Sequence, residues 1–110
     1  MTRPTALLLV IACIAAAAGQ LLFRVGAQNR TQLAEFVNPA IAGGLVLYAL
    51  GTLLWIYALA RERLVVVYAF SALTFVLVYA GGTLLLNEAI TLKGAVGVAL
   101  VLAGLYLVAV

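Results

Sequence analysis

Charge is what this sequence has least of. Only 8% of its 110 residues are Asp, Glu, Lys or Arg, against roughly 25% in an ordinary soluble domain. Hydrophobic residues make up 68%, and mean hydropathy is +1.31. One small core could not hide that much apolar surface from water, so the composition predicts a membrane protein. Histidine is absent and cysteine occurs once. Cys13 therefore has no disulfide partner in the chain, and no metal centre can be assembled around it. It reads as a small apolar residue, and no cofactor is expected. Six basic against three acidic residues leave a net charge of +3, too small and too scattered to suggest nucleic acid. The length allows one unit, 1–110, with no second domain.

What is present is apolar sequence in four blocks. Each approaches the roughly 20 residues that a helix needs to cross a bilayer. The expected spans are 5–27, 39–60, 64–86 and 92–110. The N-terminus is similar in outline to a signal peptide, with Arg3, an apolar stretch and then Ala15 to Ala18. The apolar run continues to Phe23 without a polar cleavage region, so it is expected to stay and span. Asn38-Pro39 marks the start of the second helix, with Asn as cap and Pro in the first turn. Thr91 is a plausible cap for the fourth. The β-branched run Val65-Val66-Val67 is expected to be helical all the same, because lipid leaves no partner for an unpaired backbone.

Short connections make neighbouring helices antiparallel and put both termini on one side. The terminal side then carries Arg3, Arg61 and Arg63, and the opposite side Arg24, Arg30 and Lys93. Three against three indicates no orientation; leaving out Arg24 as too deep gives a faint bias for termini in the cytoplasm. Asn29-Arg30-Thr31 fits a glycosylation sequon, read here as chance.

Against this background a few polar residues need explaining. Gln20 and Arg24 are four apart and share a face of the first helix, just after the small run Ala15 to Gly19. An ionisable group at the centre of a membrane helix costs roughly 2.5–3.5 kcal/mol on insertion scales. Arg24 is near the helix end and could snorkel to the interface, pair with Glu88 on the same side, or meet a phosphate. Gln20 is deeper. Its amide could bind a sugar hydroxyl or a neighbouring helix. Tyr48, Thr52 and Trp55 share one face, as do Tyr68, Ser71 and Phe75. Most of these aromatics are read as interfacial belt or packing; Tyr68 and Ser71 are the residues expected to line a cavity. Gly97 and Gly104 form a flat stripe on the fourth helix, suited to close helix contact. Gly43, Gly44, Gly51 and the pair Gly81-Gly82 suggest close packing or a bend.

Gly19-Gln20-Leu21 followed by Arg24, then Tyr68-Ala69, Asn87-Glu88 and Gly97 with Gly104, resembles the small four-helix branch of the drug/metabolite transporter superfamily. The likeness runs along nearly the whole chain. It is strongest to the paired small subunits of the 4-amino-4-deoxy-arabinose-phosphoundecaprenol flippase, which are similar around Ala-Gly-Gln-Leu. The related small multidrug resistance transporters carry a proton- and drug-binding Glu in helix one, and alignment on Gly19 and Arg24 puts Ala16 there. The resemblance implies an antiparallel or pseudo-symmetric dimer, with Gly97 and Gly104 at the helix-four contact and substrate held between helices one to three of both subunits.

The expectation is thus an all-α membrane protein, a four-helix bundle acting as a homodimer or as a heterodimer with a similar four-helix chain. It would sit in a bacterial inner membrane and move a lipid-linked sugar phosphate. Gln20 would hydrogen-bond the head group, Arg24 would attract the phosphate in exchange with Glu88, and Tyr68 and Ser71 would line the cavity. No catalytic constellation is visible. Two alternatives stand beside this one. Export of organic cations is weakened by the missing carboxylate. In a non-transporting subunit of a larger membrane complex, the polar residues would be helix glue.

Overall fold

The computed structural model describes residues 3–109. Every regular element among them is helical: α1 (Arg3–Ala27), a 3-10 turn (Leu33–Phe36), α2 (Pro39–Leu59), α3 (Leu64–Ala69), α4 (Ser71–Leu85) and α5 (Leu92–Ala109). With α3 and α4 taken together, four helical segments are long and apolar enough to cross a membrane. The chain measures 43 × 35 × 18 Å. Its thin dimension is under two helix diameters, so the helices form a slab with much side-chain surface facing outward.

The helix ends follow from local chemistry. Asn38 has an extended backbone, and its Oδ1 accepts the Ile41 N–H at 3.1 Å, with Pro39 in the first turn. Its Nδ2 donates to the Gly26 and Glu35 carbonyls, each at 3.0 Å. One side chain thus caps the start of α2 and ties it to the end of α1. Beyond α1 the chain turns at Asn29, whose φ of 62° lies in the left-handed region that Asn tolerates. Thr91 caps α5 as expected, its Oγ1 accepting the Gly94 N–H at 2.9 Å.

α1 and α2 pack as antiparallel neighbours through small residues. A Cβ added to Gly19 would lie 2.8 Å from the Gly44 carbonyl oxygen, and one added to Gly51 would lie 3.0 Å from that of Ala12. Backbone meets backbone along this seam, and at Gly19 and Gly44 the approach leaves no room for a Cβ. The buried core sits towards the end of the bundle that holds the N-terminus. There Leu9, Cys13, Ala58, Val67 and Phe70 are enclosed, with Leu105 and Ala109 of α5 packed on them. Those two are only partly buried, and α5 has no fully buried residue.

The third span runs over Leu64–Leu85, close to the expected 64–86. It is interrupted once, at Phe70 between α3 and α4, and not at Gly81-Gly82. α3 closes with Phe70 donating its N–H back three residues, to the Val67 carbonyl at 3.1 Å. α4 restarts at Ser71. The Phe70 carbonyl takes a hydrogen bond from Cys13 Sγ of α1 at 3.2 Å. That carbonyl still accepts the Leu73 and Thr74 N–H groups, at 3.0 and 3.3 Å, so the interruption is a single tightened turn, and three successive β-branched valines weaken the helix just before it. Gly81 serves packing instead. A Cβ there would strike Leu21 of α1 at 2.5 Å. The other spans end within two residues of expectation.

Candidate functional site

Between α2 and the α3–α4 segment, with α1 as its floor, runs an open groove of about 530 Å³. The floor is Ala12, Ala16 and Gln20, one residue per turn. Two small side chains hold the floor low and the third puts an amide at its far end. α2 contributes Tyr48, Gly51, Thr52 and Trp55; the other wall is Tyr68 of α3 with Ser71 and Thr74 of α4. The break at Phe70 separates Tyr68 from Ser71, so the two wall residues stand on different helices.

Of the residues expected to bind substrate, Gln20 lines the floor of the groove and Tyr68 and Ser71 its wall. Arg24 and Glu88 do not. They stand beyond it, with Arg24 one turn after Gln20, or about 6 Å along the axis. There they meet each other, Arg24 Nη2 lying 3.9 Å from Glu88 Oε2. The pair is loose, since a charge-assisted hydrogen bond would be about 2.7–2.9 Å, and both side chains are about half exposed. Glu88 is held there by its main chain. Asn87 adopts φ 57°, which lets the Glu88 N–H reach back to the Gly82 carbonyl at 3.1 Å. Its carboxylate lies over Gly82, where a Cβ would sit 2.5 Å from Oε1.

Tyr48, Thr52 and Trp55 belong to the same groove. They line the groove along with Tyr68 and Ser71. Their i, i+4, i+7 spacing was the available signal, but it could not show which way that face of α2 turned. Thr74, next to Ser71, belongs to the wall as well. Phe75, on the same face in sequence, does not line it; it pairs instead with Tyr79 of α4, with ring centroids 6.5 Å apart.

Among the described residues, no Asp, Glu, Lys or Arg lines the groove. Its polar tips are also unengaged. The Gln20 amide, Trp55 Nε1 and the Tyr68 and Ser71 hydroxyls make no hydrogen bond to the rest of the chain. Two lining hydroxyls do have partners: Thr52 donates to the Tyr48 carbonyl at 2.9 Å, and Thr74 meets Cys13 of α1. A second cavity of about 620 Å³ lies at the end nearest the N-terminus, between Pro4, Thr5, Leu8, Tyr57 and Arg61. Arg61 is stacked over the Tyr57 ring, 4.6 Å from its centroid, and donates to the Tyr57 hydroxyl. No group of three or more His, Cys, Asp or Glu that could hold a metal occurs among the described residues.

Gly97 and Gly104 are open. A Cβ at either would meet nothing within 4 Å, so nothing inside the chain requires glycine there. Comparison with protein-family models, curated proteins and solved structures matches this chain to none of them.

Proposed function

We propose that this chain is a membrane transport subunit that carries a polyprenyl-phosphate-linked sugar across a bacterial inner membrane. The observation that carries this reading is the groove, a polar-tipped cleft between three apolar spans with a displaceable guanidinium one turn past its end. Unsatisfied polar groups in hydrocarbon are costly. Four of them facing one space is the arrangement expected of a site filled by a polar guest. Arg24 suits the phosphate. Its guanidinium presents five donors in a planar fork, and the long contact to Glu88 leaves them able to change partner.

One chain leaves the groove open on one side, and a second copy or a similar four-helix chain would close it. The open glycine stripe on α5 supports such an assembly, since helices associate in lipid through small residues. An antiparallel or pseudo-symmetric pair would also supply the inverted halves that alternating access needs. Export of organic cations has one observation in its favour, the aromatic rings of Tyr48, Trp55 and Tyr68 around the groove. The lack of any carboxylate there weighs against it.

The test is translocation in proteoliposomes, following a short-chain polyprenyl-phosphate hexose by its accessibility to an impermeant oxidant. The wild type should move the head group. Gln20→Leu should abolish movement while leaving the helical circular dichroism unchanged. A Gln20→Leu protein that transports normally would reassign Gln20 to helix glue and remove the basis of the proposal.

A further inference from the structure

The groove's chemistry points to the kind of head group it takes. Resting on the transport reading above, we infer that the part of the substrate held in the groove is an electrically neutral, hydroxyl-bearing ring. An amino sugar does not fit it, and the phosphate stays outside, at Arg24.

The inference rests first on the mixture of hydrogen-bonding types. A phosphate takes donors only and an ammonium takes acceptors only, whereas a sugar hydroxyl needs both. Gln20 offers both through its amide, Tyr68 and Ser71 both through their hydroxyls, and Trp55 a donor. All four are unengaged and face the same space. Thr52, whose proton is committed to the Tyr48 carbonyl, adds acceptor lone pairs. The rings of Tyr48, Trp55 and Tyr68 supply apolar faces of negative potential, against which the C–H face of a pyranose packs. The volume, about 530 Å³, falls within the roughly 300–1,000 Å³ of small-molecule sites.

The second ground is charge. A primary ammonium in this groove would lose its water without meeting a carboxylate. Ring faces attract cations, but they do not replace the hydration of a compact ammonium. The chain's three carboxylates are Glu35, Glu62 and Glu88. None of them lies within α1 to α5. A second copy packed against the open side could therefore bring no acid to the middle of the groove, whichever way up it stood. Glu88, the carboxylate next along from Gln20, already faces Arg24. The phosphate is excluded from the groove by the same reasoning with the sign reversed. No Lys or Arg lines the wall, and Arg24 is one turn past Gln20. The spacing of one helical turn suits a substrate whose ring and phosphate are adjacent groups.

The chain carries its own reporter, because Trp55 is the only tryptophan and lines the groove. Trp55 fluorescence of the full chain in sugar-free nanodiscs would be titrated with farnesyl phosphate, farnesyl-phosphoryl hexose and the corresponding farnesyl-phosphoryl amino-hexose. The neutral hexose form should bind about tenfold tighter than either of the others, equivalent to about 1.4 kcal/mol. Arg24→Ala should weaken all three by a similar factor, and Ser71→Ala should weaken the hexose form. An amino-hexose form that binds as tightly as the hexose form would overturn the neutral-ring inference and leave the transport reading standing. So would a bare phosphate of equal affinity, because the groove would then be blind to the sugar. Failure of all three to bind would overturn both.

Discussion

The Arg24–Glu88 pair can be structural glue or a binding device, and a double-mutant cycle separates the two. At 3.9 Å, two unit charges attract by about 4 kcal/mol at an effective dielectric of 20. The side chains are 54% and 52% exposed, so most of that attraction is lost to screening and hydration. Exposed pairs typically couple by about 0.2–1 kcal/mol. A charge-assisted hydrogen bond to a phosphate is worth more, about 1.5–3 kcal/mol, which corresponds to roughly ten- to hundredfold in rate. Unfolding by denaturing detergent, followed by circular dichroism, should therefore give a coupling between Arg24→Ala and Glu88→Ala of no more than about 1 kcal/mol. Translocation in proteoliposomes should behave differently. Arg24→Ala should lose roughly ten- to hundredfold, Glu88→Ala should retain activity, and the double variant should stay as slow as Arg24→Ala alone. If the double variant regains wild-type translocation, Arg24 serves only to neutralise Glu88, and the phosphate assignment is refuted.

Two further predictions concern glycines that look alike in the sequence. Gly44→Ala places a methyl 2.8 Å from the Gly19 carbonyl and against the Phe23 ring; an overpacking cost of about 1–3 kcal/mol should exceed the gain of about 1 kcal/mol in helix propensity. Gly97→Ala meets nothing and should be neutral or stabilising, so equal losses of stability at the two sites would contradict the packing of α1 on α2. Gly97→Leu combined with Gly104→Leu should leave the helical content of the chain intact while shifting the intact-complex mass in mild detergent from two chains to one. Persistence of the larger species would place the contact elsewhere.

Much of the architecture was legible because it depends on local chemistry. The four spans follow from hydropathy over some 20 residues, and the two caps from a polar side chain beside free N–H groups. That Arg24 and Glu88 share an end of the bundle follows from counting helices joined by short turns. The structure adds that they meet. The groove was legible only in part. Gln20 stood out because it is an amide in an apolar run, whereas Tyr48 and Trp55 could be assigned equally well to an interfacial belt.

What only the tertiary structure decided is how each helix is rotated about its axis. The helices of this chain are apolar nearly all round, so no polar face encodes the side that turns inward. That choice settles which glycines are packed, Gly19, Gly44 and Gly51, and which are left open, Gly97 and Gly104. It also brings Cys13 to the Phe70 carbonyl, where the third span breaks between two wall residues of the groove. The sequence by itself determines that four helices form and in what order they run. Their mutual rotation, and the cleft that results, depends on contacts between residues some 25 to 57 positions apart, which no local pattern records.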